Sequence, residues 1–297
     1  MKKKKRYKKK NRFASFFFTL AIIACVGIIG FSGYKLISIW MQYKAGDDEY
    51  ASLREFTAPS EASVEEIIPE VTPEPAVEEI PEVTEEEKEE EEVKEAKPEA
   101  DPDYIYTRRK PPIDVDWDSL KELNEDIVGW IYIGVLDLSY PVVHGEDDDY
   151  YLHRTFMRED NFAGSIFVEA DNHGDFKDPN TIIYGHNMLN GSMFGSLSRL
   201  TSEELYKEDP YFWIMTPKGN IRYRMFSIHE TAVDSNVYTL FNGVDHKFLA
   251  WCKDMKKQSK VELQDEKFTL HSRVVTLSTC TGDVRSRYVV QGIAVQN

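Results

Sequence analysis

The sequence predicts a mainly β protein: a closed eight-stranded β-barrel with peripheral helices, preceded by a transmembrane helix and a disordered acidic linker. Three observations carry this reading. An uncharged run of 21 residues, FASFFFTLAIIACVGIIGFSG, occupies positions 13–33. A proline- and glutamate-rich stretch without a single aromatic residue follows at positions 61–103. Beyond it, eight β-rich segments recur at close intervals, each bounded by Gly, Pro, Asn or Asp.

Taken in order, residues 1–12 form a basic tail, MKKKKRYKKKNR. The apolar run behind it is long enough, at about 1.5 Å per helical residue, to cross a bilayer core of about 30 Å. It continues into LISIWMQYK with an aromatic suited to the membrane interface, whereas a cleaved signal would have a shorter apolar core and a small-residue cleavage site. Residues 13–40 therefore read as a retained anchor. The basic block places the N-terminus in the cytoplasm by the positive-inside rule, and the rest of the chain on the extracellular side.

The net charge of −16 is unevenly spread: residues 61–101 alone carry 18 acidic and 3 basic side chains. A basic cluster placed directly before a membrane span, with no basic folded domain, argues against a nucleic-acid partner. Residues 41–103 read as an extracellular acidic linker, too polar and self-repelling to pack, whose role is reach. A short helix at positions 44–56 is a weaker expectation.

Residues 104–297 then have the texture of one folded domain. WDSLKELNEDIVGW opens with an Asp cap and apolar positions at helical spacing. The strands follow as GWIYIGV, LSYPVV, GSIFVEA, TIIYGH, YFWIMT, IRYRMFSIHE, SRVVTLSTC and RYVVQGIAV. Helical insertions are expected at GSLSRLTSEELYKED and VDHKFLAWCKDMKKQSK, the second with Phe248, Leu249, Cys252 and Met255 on one face. Strand number and spacing favour a closed barrel over a doubly wound sheet.

Cysteine occurs only at positions 25, 252 and 280, which implies no disulfide framework and suits the surface of a Gram-positive cell. Cys252 reads as a buried small hydrophobe. Cys280, at the end of RVVTLSTC and before the turn TGD, is open to four readings: inert core thiol, disulfide partner, metal ligand or nucleophile. No Cys-x-x-Cys or paired-histidine spacing supports zinc. Of the histidines, His186 ends the apolar strand TIIYG and opens a glycine-bearing loop, where a rigid scaffold presents chemistry. His144, His153, His173, His229, His246 and His271 sit beside charged or turn residues and read as exposed. A positive charge for an oxyanion could come from Arg285 or Arg287, which share a face if the strand begins early. Arg287 is the better anchored, inside RYVVQG.

These residues resemble the sortases, class B in particular. The resemblance rests on TLSTC, on IIYGHNM followed by GSMFGSL, on RYVV, and on NEDIVGWIYI, LSYPVV, DDDYYLHRTF and AGSIFVEADN in the same order, covering residues 117–296. It implies a sortase-type barrel and a membrane-anchored cysteine transpeptidase of the thiol-protease type. Such an enzyme cleaves the C-terminal sorting signal of a surface protein after Thr through a thioester. The resemblance implies Cys280 as nucleophile, His186 as general acid and base, and Arg287 as oxyanion or substrate-positioning residue. It further implies Ser278 and Thr279 beside the thiol, Tyr184 before the histidine, and Tyr151 and Leu152 on a groove-lining helix. Asp148 stands in DDDYYL where the family pattern has Asn, which alters a peptide contact.

The implied partners are a sorting-signal peptide and an acceptor amine from a peptidoglycan stem, a cross-bridge or a pilin Lys. No metal or organic cofactor is implied. The rival readings are a cysteine endopeptidase or wall-peptide transpeptidase, and an anchored binding module with an inert Cys280.

Overall fold

The computed structural model describes residues 12–60 and 105–295. The basic tail at 1–11 and the acidic stretch at 61–104 lie outside the described residues. Two compact units are distinguished, Met1–Ala45 and Gly46–Asn297.

In the first unit the described residues are helical. Helix α1 runs Arg12–Leu53, and its apolar side chains from Phe16 to Met41 are exposed. It is long and apolar enough to cross a membrane. Exposed Phe, Ile and Leu on all sides are what a helix surrounded by lipid presents.

In the second unit eight strands close a barrel, in the order β10-β8-β7-β3-β4-β5-β6-β9 with β9 returning to β10. The strands are β3 Ile127–Ile133, β4 Leu138–Val143, β5 Ile166–Val168, β6 Asn180–Tyr184, β7 Tyr211–Thr216, β8 Gly219–Ala232, β9 Val274–Cys280 and β10 Ser286–Val295. All eight expected strands are present. The pairs β4–β5 and β6–β9 are parallel and the others antiparallel. Closure leaves no unpaired edge inside the barrel sheet.

Helix α2, Trp117–Leu123, is capped by the Asp116 carboxylate, which accepts from the Ser119 N–H at 3.1 Å. The first helical insertion is reduced to one turn, α3 Arg199–Ser202, and a 3₁₀ turn at Leu205–Lys207. Helix α4, His246–Gln258, is capped by Asp245 and buries Phe248, Trp251, Cys252 and Met255. These four pack on Val274 of β9 and on Val289 and Ile293 of β10. At about 1.5–3 kcal/mol for each large apolar side chain buried, that contact is a major part of what holds α4.

One boundary differs from the sequence reading, which assigned residues 41–103 to the linker. Residues 46–60 belong to the barrel unit. Tyr50 and Leu53 of α1 are buried. After a 3₁₀ turn at Arg54–Phe56, strand β1 (Thr57–Pro59) pairs antiparallel with β2 (Ile113–Val115), in register Thr57↔Val115 to Pro59↔Ile113. The Ser60 N–H donates to the Pro112 carbonyl at 2.9 Å. The acidic stretch thus leaves and rejoins the barrel unit at neighbouring strands. Aromatic and apolar side chains one helical turn apart, Tyr50 and Leu53, outweigh the local acidity of Asp47, Asp48 and Glu49.

Candidate functional site

Alternation along β9 and β10 builds the site. Thr276, Ser278 and Cys280 share one face of β9, opposite Gln291, Val289 and Arg287 of β10 in register. The Gln291 side-chain amide donates to Thr276 Oγ1 at 3.1 Å, which confirms the shared face. The α4 core covers this face as far as Val289, the partner of Ser278. One pair further on, Cys280 is exposed. Arg287 is its direct cross-strand partner.

Parallel pairing brings in the histidine. Tyr184 of β6 aligns with Ser278, and the Gly185 N–H donates to the Ser278 carbonyl at 3.2 Å. His186 therefore leaves β6 level with Cys280. Gly185 is required by close approach: a Cβ there would lie 2.4 Å from Ile166 Cδ1 and 2.8 Å from the Phe194 ring. His186 Nε2 donates to the Leu152 carbonyl at 2.8 Å. A carbonyl only accepts, so Nε2 carries a proton and Nδ1 is the nitrogen left to exchange one. The loop is closed by Phe194 N–H donating to the His186 carbonyl at 3.0 Å. The Asn187 amide donates to the Cys280 carbonyl at 2.7 Å, tying the loop to the end of β9.

Arg287 lies inside β10, and its guanidinium donates to the carbonyls of Ser286 at 2.9 Å and Val284 at 3.2 Å. Among the described residues no carboxylate pairs with it. Arg285 lies in the loop before the strand, 85% exposed and paired with Asp283. The backbone thus separates two arginines that the sequence left as alternatives.

The residues expected to line a groove divide. Tyr184 does face the site: its hydroxyl donates to Glu169 Oε2 at 2.6 Å and its ring stacks on Tyr238 at 6.4 Å. Ser278 is buried, its hydroxyl bonded to that of Tyr238 at 2.9 Å. Leu152 is half-buried and contributes its carbonyl to His186. Asp148 is half-buried and accepts from the Ala170 N–H at 2.8 Å. Burial, together with Asp148, raises the Glu169 carboxyl to about 7.

Two expectations are corrected. Tyr151 is fully buried and turned away, its hydroxyl donating to Asp126 at 2.5 Å and bonded to Asn124, so it belongs to the core. Residues 145–156 form turns rather than a helix. Thr279 points to the face opposite Cys280 and is buried. Thr279 sits next to Cys280 on a strand, where the two-residue period turns neighbours to opposite faces.

Tyr238 is the residue that sequence reasoning missed. It lies in a 3₁₀ turn, Asn236–Tyr238, 40 residues before its partner Ser278. Burial raises its hydroxyl's pKa, the Ser278 hydrogen bond and the Arg287 charge lower it, and Cys280 raises it. Cys252 and Cys280 are both free thiols, and burial pushes Cys252 up strongly. Of the histidines read as exposed, His229 is instead buried, 2% exposed.

A sortase-domain profile matches residues 131–295. Sortase B of Listeria monocytogenes is 35% identical over 177 residues, covering 59% of this chain and 72% of that protein. Sortase B of Staphylococcus aureus is 28% identical over 176 residues, with the same coverages. Among solved structures, sortase B of Clostridium perfringens superposes with a TM-score of 0.55 at 29% identity, covering 61% of this chain and 100% of that one. A Staphylococcus aureus sortase B–substrate complex does so with 0.56 at 29% identity, covering 61% and 84%. With a barrel of this topology and a profile match over more than half its length, the chain belongs to the sortase family, in its class B.

Proposed function

We propose that the chain is a membrane-anchored cysteine transpeptidase acting on the sorting signals of surface proteins, with its catalytic domain outside the cell. The observation that carries this is the convergence of Cys280, Arg287 and His186 at one open end of the β6–β9–β10 face, fixed by strand register. Support for a peptide substrate comes from the Staphylococcus aureus relative, which was solved as a substrate complex.

In the reaction, the Cys280 thiolate attacks the carbonyl carbon of the signal's threonine, forming the S–C bond as the C=O π pair moves onto oxygen to give a tetrahedral oxyanion. Arg287, whose guanidinium no carboxylate neutralises among the described residues, supplies positive charge to that oxygen. His186, as the imidazolium that holds on Nδ1 the proton given up by the Cys280 thiol, passes that proton to the departing amine, since Nε2–H is committed to Leu152. The C–N bond breaks, leaving a thioester on Cys280. An acceptor amine, from a peptidoglycan stem or cross-bridge or a pilin lysine, then attacks the thioester. Nδ1 takes up the proton that amine loses, and Cys280 is released as the thiolate, which restores the starting state. The Tyr184–Tyr238 stack, with Ser278 beneath it, forms the wall along which the peptide lies.

The test incubates the full chain and Cys280→Ala with a panel of sorting-signal peptides, with and without hydroxylamine, followed by mass spectrometry. A threonine hydroxamate formed only by the wild type is the expected result and names the signal. Hydrolysed peptide despite abundant amine would indicate an endopeptidase instead. An unmodified panel, with Cys280 inert to alkylation in the folded protein, would leave an anchored binding module.

A further inference from the structure

Two backbone segments hold His186, and one side chain touches the supports of both. The first segment supplies the Leu152 carbonyl that receives Nε2–H. It is braced by residues 160–165: Ser165 N–H donates to the Tyr151 carbonyl at 2.9 Å and Asn161 N–H to the His153 carbonyl at 3.0 Å. Gly164 lies hard against it. Gly164 has φ +57°, and a Cβ on it would fall 2.5 Å from the Leu152 carbonyl oxygen. The second segment is the loop that carries His186, closed through Phe194 N–H. Next to Phe194, the Met193 N–H donates to the Tyr140 hydroxyl at 3.1 Å.

Tyr50, near the end of α1, meets both. Its hydroxyl donates to the Gly164 carbonyl at 2.7 Å, with Ser165 Oγ at 3.3 Å. Its ring packs edge-on against the Tyr140 ring, 5.4 Å between centroids. The neighbouring turns of α1 repeat the pattern. Asp47 accepts from the Asn190 amide at 3.0 Å, in the histidine's own loop. Glu49 accepts from the Met157 N–H at 2.9 Å, in the turn that follows Leu152.

We infer that Tyr50, with Asp47 and Glu49, is a positioning residue for His186: the end of the N-terminal helix clamps together the carbonyl that orients the imidazole and the loop that carries it. Neither side chain nor helix reaches the reacting atoms. The device acts on geometry, and a base misplaced by a fraction of an ångström loses rate steeply without losing substrate affinity. Residues that a linear reading assigns to a linker thus become part of the catalytic apparatus.

The inference rests on the transpeptidase reading, and the experiment separates the two. Full-length wild type, Tyr50→Phe, Asp47→Ala and Asp47→Asn are compared in hydroxamate formation, with Cys280 alkylation rate and thermal midpoint measured on each. Tyr50→Phe keeps the ring on Tyr140 and removes only the hydroxyl. It should lower kcat roughly tenfold with KM unchanged, alkylate at Cys280 as the wild type does, and shift the limb of the kcat–pH profile that belongs to His186. Asp47→Ala should lose activity that Asp47→Asn, still an acceptor for Asn190, restores. Wild-type kcat and pH profile in Tyr50→Phe would overturn the positioning role. So would losses that track the thermal midpoint across all variants, or a rise in KM alone. If the wild type itself forms no hydroxamate, the transpeptidase reading fails and this inference falls with it.

Discussion

At Cys280 the fold places one arginine directly across the strand pair and leaves the other in the loop, committed to Asp283. Arg285→Ala should therefore change the acyl-transfer rate by less than about twofold, the ordinary outcome for an exposed surface pair. Arg287→Ala should lower kcat by about 10²–10³, the usual effect of removing an oxyanion donor. Steady-state kinetics of hydroxamate release on the two variants distinguishes them, and equal losses would contradict the assignment. Much at this scale was legible. TLSTC, the glycine-histidine step and RYVV mark strand ends, and the β run RYVVQG already favoured Arg287, where alternation alone did not choose. Tyr151 and Thr279 were misplaced because a resemblance aligns positions and not side-chain directions. Tyr238 had no local signal at all, since its partner Ser278 is remote in sequence and joins it only after the barrel closes.

Between β8 and α4 sits a histidine whose proton inventory is set by its neighbours. Ser227 Oγ donates to the Met255 carbonyl at 2.7 Å, so toward His229 Nδ1, at 3.0 Å, it can only accept. Nδ1 thus holds the proton, and the buried Nε2 has no partner among the described residues. Burial, helped by the Lys260 charge, lowers this imidazole to about 4. The unfolded chain, with an ordinary value near 6.5, binds the extra proton between those two pH values. The contribution to stability is complete above about pH 6.5 and is lost as pH falls toward 4. Thermal melts between pH 7 and 4.5 should fall more steeply for the wild type than for His229→Gln, and parallel slopes would refute this. The element itself was readable: α4 follows from its apolar stripe and Asp245 cap, the strands from their β-branched runs. What sequence could not supply was that His229, in a run ending in Glu230, faces inward beneath α4. Inside or outside is decided by register against β10, where it pairs with Val289.

Across the whole molecule, the sequence suggested a string of parts: tail, anchor, spacer, barrel. The barrel was legible because closing eight short strands is the way to bury their apolar faces without edges. The spacer was not, because its boundary depends on a three-residue strand pair that no composition reveals. β1 and β2 clasp the two ends of the acidic stretch, while Tyr50 and Leu53 seat the helix before it. Covalent continuity through that stretch is then redundant. A protease that cuts once between positions 61 and 104 should yield two polypeptides on a denaturing gel but a single species in native gel filtration, still active in hydroxamate formation. Separation of the fragments would show the clasp too weak to hold. On the proposed anchoring, a cut within that stretch alone would not shed the barrel, and a nicked population would persist at the membrane as a working two-chain protein.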